Sequence, residues 1–158
     1  MSTATDTYHL FGNLVRFLAR SPETGGAYCL VETLSAPGAG APPNRHPGDD
    51  EAFYVVEGTF EFMLDGKTFT AGPGDFVKVP TGAAHAFKNV GKEPARLLVI
   101  NTPGLVHEGF YTQAGDAVPS RTREFPPLQA PDITALKAIA ERNGMEILLP
   151  DGPQGEAA

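Results

Sequence analysis

Two histidines and a glutamate in the middle third of the chain are of the residue types that bind metals. His46, Glu51 and His85 lie within residues 42–89, where short apolar runs are broken by Gly and Pro. Two imidazoles and one carboxylate suit a divalent first-row metal. Three protein ligands leave coordination positions open for water, dioxygen or substrate, whereas a structural site is usually closed by four ligands. The chemistry indicated is that of a catalytic ion.

The spacing of these residues allows them to meet inside a β-barrel. Asn44 and His46 are two residues apart, so on a strand both side chains point to the same face. Glu51 follows five residues after His46, and the intervening Pro-Gly-Asp-Asp turn can return its carboxylate to the imidazole. His85 lies on a later strand, and closure of a barrel can place that strand opposite His46 and Glu51. Spacing alone leaves open the alternative that residues 49–51 form a solvated acidic turn.

The surrounding segments have the turn spacing of an all-β sandwich or barrel. Isolated Gly and Pro residues separate runs rich in aromatic and β-branched side chains, and Asp65-Gly66 is a strong hairpin signal. We interpret residues 1–7 as a loose end and residues 35–43 as a loop. The predicted strands cover residues 10–19, 27–34, 51–56, 59–64, 67–70, 76–79, 84–89 and 95–101.

The pattern changes after residue 102. Residues 104–114 are predicted to form a short helix, and residues 119–131 an extended, Pro-rich connection. A second helix is predicted over residues 133–142, because Asp132 can cap it, its apolar residues fall on one stripe and Gly144 can end it. Residues 146–149 are expected to lie back on the barrel, and residues 151–158 to form a tail.

Composition excludes several classes of partner. The 158-residue chain has the length of one domain, and 41% hydrophobic residues suffice for a core. Its net charge of -7 argues against nucleic acid and anionic membranes. No apolar run is long enough to span a bilayer, and the N-terminus lacks the pattern of a signal peptide. The single cysteine, Cys29, is expected to be a buried thiol in a cytoplasmic protein.

Two motifs of the chain resemble those of a known family. In the first, Gly38 is followed by Asn44-Arg45-His46, then by Glu51 and, six residues later, by Gly58. In the second, the matching residues are Gly74, Pro80, Gly82, His85 and Asn89. Together the motifs cover the middle third of the chain and resemble those of the cupins. The flanking segments resemble more loosely the small bacterial cupins grouped with quercetin dioxygenase.

The resemblance implies a double-stranded β-helix, or jelly-roll barrel, with short flanking C-terminal helices. It implies one domain over residues 1–158, with a barrel at about 8–102, a helical extension at about 103–150 and a tail at 151–158, and it suggests a homodimer. It also implies that His46, Glu51 and His85 bind a metal at the centre of the barrel. The first histidine of the first motif is replaced by Asn44, a weak or lost fourth ligand. The site then either holds one divalent ion, which can be iron, manganese, nickel, zinc or cobalt, or functions without a metal.

Three functions follow from this resemblance. The main prediction is a metal-dependent, dioxygenase-like oxidoreductase acting on a small organic molecule, aromatic ones included, with Glu51 and His85 as catalytic residues. The first alternative is a metal-free isomerase, epimerase or cyclase in which His46 or His85 acts as the base. The second alternative is a barrel that binds a small molecule without catalysis.

The motifs assign no role to several other histidine and aromatic side chains. His107 and residues 109–111 could approach the mouth of the barrel or form a dimer surface, and the sequence does not decide between the two. His9 has no assigned role. Alternation along the strands predicts that about half of five aromatic residues line the interior, namely Phe53, Tyr54, Phe60, Phe62 and Phe87.

Overall fold

The computed structural model describes residues 5–150, which form a barrel of two antiparallel sheets. The first sheet has the order β11-β1-β2-β3-β10-β5-β8, and the second has the order β12-β4-β9-β6-β7. This is the all-β jelly-roll fold that was expected. In chain order the strands are β1 Thr7–Leu10, β2 Asn13–Ala19, β3 Cys29–Ser35, β4 Gly40–Arg45, β5 Asp50–Glu57, β6 Phe60–Leu64, β7 Lys67–Ala71, β8 Phe76–Val79, β9 His85–Asn89, β10 Ala95–Thr102, β11 Asp116–Ala117 and β12 Glu146–Ile147.

The apolar core lies between the two sheets. On β5 the side chains of Glu51, Phe53 and Val55 are buried while Tyr54 is exposed, which is the alternation of a strand with one face on a core. Burial of these apolar faces is the main favourable term in folding. Because Glu51 shares the inward face of β5 with Phe53, its carboxylate is carried into the interior of the barrel.

Two segments predicted as irregular belong in part to strands, at Thr7, at Ser35 and at residues 40–43. Residues 1–7 were interpreted as a loose end, but Thr7 begins β1 and is buried; the rest of that segment up to residue 4 lies outside the described residues, as does the predicted tail at 151–158. Strand β1 pairs with β2 across a turn at Phe11-Gly12, where both residues have positive φ. The prediction of a single strand over 10–19 was therefore wrong at its start.

Strand β4 corrects the interpretation of residues 35–43 as a loop. It pairs with β9 on one side and with β12 on the other. It contains two prolines, and proline cannot donate to a ladder. The register shifts between Ala41 and Asn44, so Pro42 and Pro43 occupy an irregularity where a ladder donor is not needed. The carbonyl of Pro43 still accepts from the amide of Leu148.

Two helices follow the barrel strands, as predicted. Helix α1 spans Leu105–Ala114, and helix α2 spans Ile133–Arg142. Asp132 caps α2, because its carboxylate accepts from the amide of Ala135 at 3.0 Å. A small second core joins the helices to the barrel through Leu10, Phe110, Ala140, Met145 and Ile147. Among the described residues, no helix has the length and apolar character needed to cross a membrane.

The aromatic residues near the motifs are distributed unevenly. Phe53, Phe60 and Phe62 are buried in the main core, and Phe87 packs against it, whereas Tyr54 is 45% exposed. The expectation that about half would face inward was therefore too low. Phe60 and Phe62 are two residues apart on β6, so both side chains point to the same face of the sheet and both are buried.

Candidate metal centre

His46, Glu51 and His85 meet at one point inside the barrel. The Nε2 atoms of His46 and His85 lie 3.1 and 2.8 Å from the Oε1 atom of Glu51, and 3.1 Å from each other. All three side chains are at least nine-tenths buried. With metal–nitrogen bonds of about 2.0–2.1 Å, donors on one ion lie about 3–4 Å apart. The arrangement has the dimensions of a metal-binding cluster.

Three different strands deliver these side chains. His46 directly follows β4, Glu51 is the second residue of β5, and His85 begins β9. Asn44 on β4 pairs with His85 on β9, which brings the end of one strand beside the start of the other. Asn44 and His46 are both buried and the intervening Arg45 is exposed, so the predicted common face of Asn44 and His46 is confirmed.

The hydrogen bonds fix the tautomer of both imidazoles. The Nδ1 atom of His46 donates to the carbonyl of Asp49 at 2.9 Å, and the Nδ1 atom of His85 donates to the carbonyl of Ala83 at 2.9 Å. A carbonyl oxygen can only accept, so each Nδ1 carries its hydrogen. In the neutral rings each Nε2 atom therefore carries no hydrogen and has a free lone pair. Such outer hydrogen bonds are typical of metal-binding histidines.

The electrostatics of the cluster require a cation. Two bare nitrogens 3.1 Å apart beside an acceptor-only carboxylate repel one another unless a proton or a metal ion lies among them. Burial alone lowers the pKa of His46, but the contact with Glu51 outweighs it and raises that pKa. Burial raises the pKa of Glu51, yet the neighbouring His107, His46 and His85 hold it well below its usual value. Either a proton or a divalent metal ion among these atoms would relieve the repulsion, and two imidazoles with a carboxylate are donors that suit such a metal.

His107 on α1 is a third imidazole at this site. Its Nε2 atom lies 3.4 Å from Oε2 of Glu51, and its ring packs edge-on against His46 with centroids 4.2 Å apart. Donor atoms of His46, Glu51 and His107 all lie within 4.8 Å of one another. His107 is therefore buried against Glu51 inside the protein, whereas a dimer surface on residues 109–111 stays a prediction.

Asp49 connects His107 to the backbone of Gly104 through its carboxylate. This role was not predicted from the sequence. The Oδ2 atom of Asp49 accepts from Nδ1 of His107 at 2.9 Å, and its Oδ1 atom accepts from the amide of Gly104 at 2.9 Å. Burial raises the pKa of Asp49, but the hydrogen bonds from His107 and Gly104 lower it overall. The Asp-Asp-Glu run was interpreted as a possible solvated turn, and only Asp50 of the three is exposed. The local sequence contains no signal that separates these two neighbours.

Asn44 occupies the position of the missing motif histidine. Its Nδ2 atom donates to the carbonyl of Pro42 at 2.9 Å and lies 3.4 Å from the carbonyl of His85. The amide nitrogen is thereby committed to the backbone. Asn44 lines the same cavity as Glu51, His85 and His107, so it remains next to the cluster without joining its closest contacts.

An apolar cavity of about 60 Å³ adjoins the cluster. Its walls come from the barrel, from α1 and from β12, and they include Phe53, Phe87, Phe110, Met145 and Ile147. This volume is small beside the ~300–1,000 Å³ of typical ligand pockets. A bulky ligand therefore requires one of these walls to move.

Two residues separate this cavity from a larger groove. Leu10 and Phe11 line both the cavity and a groove of about 620 Å³, which is bounded on its far side by residues 126–132 and α2. Tyr111 also lines the cavity, and burial together with the charge of Glu51 raises its pKa well above the usual value. Its phenol thus remains protonated and can donate a hydrogen bond.

The chain is similar to known proteins across its central strands. Residues 31–101 match the family model for the cupin domain. The polyketide synthase CurC of Streptomyces cyaneus is 39% identical over 70 residues, which are 44% of this chain and 46% of that protein. Quercetin 2,3-dioxygenase of Bacillus subtilis is 28% identical over 103 residues, which are 65% of this chain and 30% of that protein. The chain thus spans less than half the length of these two relatives.

A solved structure extends the similarity beyond the motifs. The polyketide cyclase RemF of Streptomyces resistomycificus is 25% identical, covers 65% of this chain and 70% of its own, and superposes with a TM-score of 0.53. The names of these relatives describe different activities, so the relatives agree on the fold and differ in chemistry. Residues 31–101 are therefore similar to the cupin domain, and the two-sheet barrel that contains them has the cupin fold.

Proposed function

We propose that this protein is a metal-dependent enzyme acting on a small, largely apolar organic molecule, and that it is an oxidoreductase of the dioxygenase type. The observation that carries the proposal is the hydrogen bonding of the imidazoles. The Nδ1 atoms of His46 and His85 donate to carbonyls, which leaves their Nε2 atoms free beside Glu51. Glu51 and His85 of this donor set line an apolar cavity, through which a substrate reaches them once one of its walls moves.

The chain's own residues divide the work. His46, Glu51 and His85 would hold the ion, which supplies Lewis acidity and open positions for dioxygen or a substrate oxygen. The protonated phenol of Tyr111 can orient a substrate oxygen in the cavity. The apolar walls exclude water from the reacting atoms.

A second candidate is a cyclase or isomerase reaction without redox chemistry. It is favoured by the similarity to a protein named as a polyketide synthase and to one named as a polyketide cyclase. In that case a buried carboxylate or imidazole removes a proton next to a carbonyl, and Tyr111 donates to the developing oxyanion. The same side chains serve both candidates, so oxygen consumption distinguishes them.

The test begins with metal content. The full chain, purified without a histidine tag, should contain about one divalent ion per chain by elemental analysis, or take one up when offered iron, manganese, nickel, zinc or cobalt. Glu51→Ala and His85→Ala should lose the ion, while His9→Ala, which removes a buried histidine elsewhere, should keep it. Failure of the wild-type chain to bind any of the five ions would refute the proposal.

The loaded protein is then offered small phenolic and polyketide-like molecules. Oxygen uptake that depends on the metal supports the oxidoreductase. Conversion of a substrate without oxygen uptake supports the cyclase or isomerase instead. The Tyr111→Phe variant should slow either reaction, because it removes the proton donor from the cavity wall.

A further inference from the structure

We propose that His107, on helix α1, is a metal ligand that takes over the role of the motif histidine replaced by Asn44. This inference rests on the proposed metal-dependent function. It concerns a residue outside both cupin motifs and outside the matched residues 31–101. It makes the first helix after the barrel a part of the metal site.

The first argument is the orientation of the imidazole. The Nδ1 atom of His107 donates to the carboxylate of Asp49 at 2.9 Å, and both oxygens of this carboxylate also accept from backbone amides. The Nε2 atom is therefore bare in the neutral ring. The side-chain amide nitrogen of Asn101 lies 3.4 Å from that Nε2 atom, a donor facing a lone pair. Carboxylate–histidine pairs of this kind fix imidazoles that bind metals.

The second argument is the position of Nε2. It lies 3.4 Å from Oε2 of Glu51, a separation found between two ligands of one ion (about 3–4 Å). His46 and Glu51 belong both to the motif cluster and to the group that includes His107. His107 is also buried, and an imidazole is a far better ligand for these metals than the amide of Asn44.

The third argument is that the backbone is built to hold this histidine in place. The Asp49 carboxylate accepts from the amide of Gly104 at 2.9 Å and from the amide of His107 at 3.2 Å, so it caps the start of α1 while it orients the ring. The backbone carbonyl of the same Asp49 accepts from His46. One residue thereby sets the positions of an imidazole from the barrel and of an imidazole from the helix.

The test counts imidazoles on the metal and attempts a rescue. X-ray absorption of the Co²⁺-loaded full chain should show three imidazoles in the wild type and two in His107→Ala. The variant should also bind Co²⁺ and Zn²⁺ at least about 100-fold more weakly, because even the loss of an outer-shell partner costs about 10–100-fold. Adding Asn44→His to His107→Ala should restore three imidazoles and recover most of the affinity.

Two further variants make the test sharp. His107→Gln retains a polar side chain beside Asp49 and guards against a folding defect in His107→Ala; it should show the same loss of one imidazole. His9→Ala is the matched control and should bind both ions like the wild type. Thermal denaturation of each apo-protein verifies that the variants are folded.

The outcomes separate this inference from the proposed function. Two imidazoles in the wild type, unchanged in His107→Ala, would overturn the inference while leaving the metal enzyme intact. An affinity loss with an unchanged count would also overturn it, because His107 would then only position Glu51. A wild-type chain that binds none of the five divalent ions would overturn both.

Discussion

The carboxylate of Asp49 lies 2.9 Å from Nδ1 of His107, and the two residues are 58 positions apart in the sequence. The same carboxylate receives the backbone amide of Gly104. A buried anion that is satisfied by a ring N–H and by helix amides is held by charge-assisted hydrogen bonds, which are stronger than neutral ones. Asp49 therefore joins the turn before β5 to the start of α1, and through His107 it reaches the metal centre.

Asp49→Asn is expected to weaken both the fold and the metal site. The amide keeps the size of the side chain, but its NH₂ group would face N–H groups that now donate to the carboxylate, namely the amides of Gly104 and His107 and Nδ1 of His107. We expect the free energy of unfolding to fall by about 2–3 kcal/mol, measured by urea denaturation of the metal-free protein. Affinity for Co²⁺ should fall about 10–100-fold, because Asp49 orients a ligand without being one.

The neighbouring residue provides the control. Asp50→Asn changes an exposed carboxylate that accepts from Thr81 at 2.7 Å, and we expect a change of less than about 1 kcal/mol. Equal losses in the two variants would contradict the role given to Asp49.

Gly104 allows α1 to begin directly against the barrel. Its φ is 99°, and a Cβ atom there would collide with Cβ of Cys29 and lie 2.7 Å from the amide nitrogen of Cys29. Gly104→Ala should therefore cost about 3 kcal/mol or more, whereas Gly74→Ala should cost about 1 kcal/mol. Gly74 has a similar φ of 91° with nothing near the position of a Cβ. The difference between the two urea curves isolates the cost of the close approach.

Much of the barrel could be predicted because its signals are local. Asp65-Gly66 predicted a hairpin, and both residues have positive φ between β6 and β7. Strand β8 and helix α2 have the predicted bounds. Each of these elements is specified by adjacent turn residues or by periodicity, which do not depend on the rest of the fold.

The features that the sequence did not reveal depend on contacts between distant segments. The Phe11-Gly12 turn places a bulky residue at φ 55°, a conformation with no local signature for phenylalanine. The burial of Asp49 and the direction of His107 arise only when α1 docks on the barrel. The meeting of His46, Glu51 and His85 could be anticipated from the motifs, but their role as metal ligands stays a prediction. The homodimer and the cytoplasmic location also stay predictions.

Cys29 was expected to be a buried thiol, and its burial is confirmed. Burial, with the nearby carboxylates of Glu108 and Asp49, raises the pKa of Cys29 to about 12. Only the thiolate reacts with iodoacetamide. At pH 8.5 the native protein should therefore be alkylated at least about a thousandfold more slowly than the urea-unfolded chain, as followed by mass spectrometry. Comparable rates in the two states would show that Cys29 is accessible.

Phe11 separates the apolar cavity from the larger outer groove. Because Phe11 lines both spaces, Phe11→Ala should open a path between them. In the Co²⁺-loaded protein we expect EDTA to remove the ion several-fold faster from this variant, with little change in equilibrium affinity. Phe69→Ala removes an aromatic ring from β7, outside the residues that line the cavity, and should leave the rate unchanged. A rate that is also unchanged in Phe11→Ala would mean that the ion leaves by another route.

Phe53 and Tyr54 are neighbours on β5 that face opposite sides of the sheet. Phe53 is 2% exposed and its ring contacts those of Phe62 and Phe87, while Tyr54 is 45% exposed. Phe53→Ala should lower the free energy of unfolding by about 3–5 kcal/mol through lost burial and a new cavity. Tyr54→Ala should lower it by about 0.5 kcal/mol.

The same pair also tests how the core supports the metal centre. The ring of Phe53 lies 6.4 Å from that of His85, between centroids, and both side chains line the cavity. Removing Phe53 frees His85 to change its rotamer, so Phe53→Ala should weaken Co²⁺ binding in addition to destabilising the fold. Tyr54→Ala should bind Co²⁺ like the wild type. If Phe53→Ala retains full affinity while losing stability, then the hydrogen bond from His85 to the carbonyl of Ala83 is sufficient on its own to hold the imidazole in place.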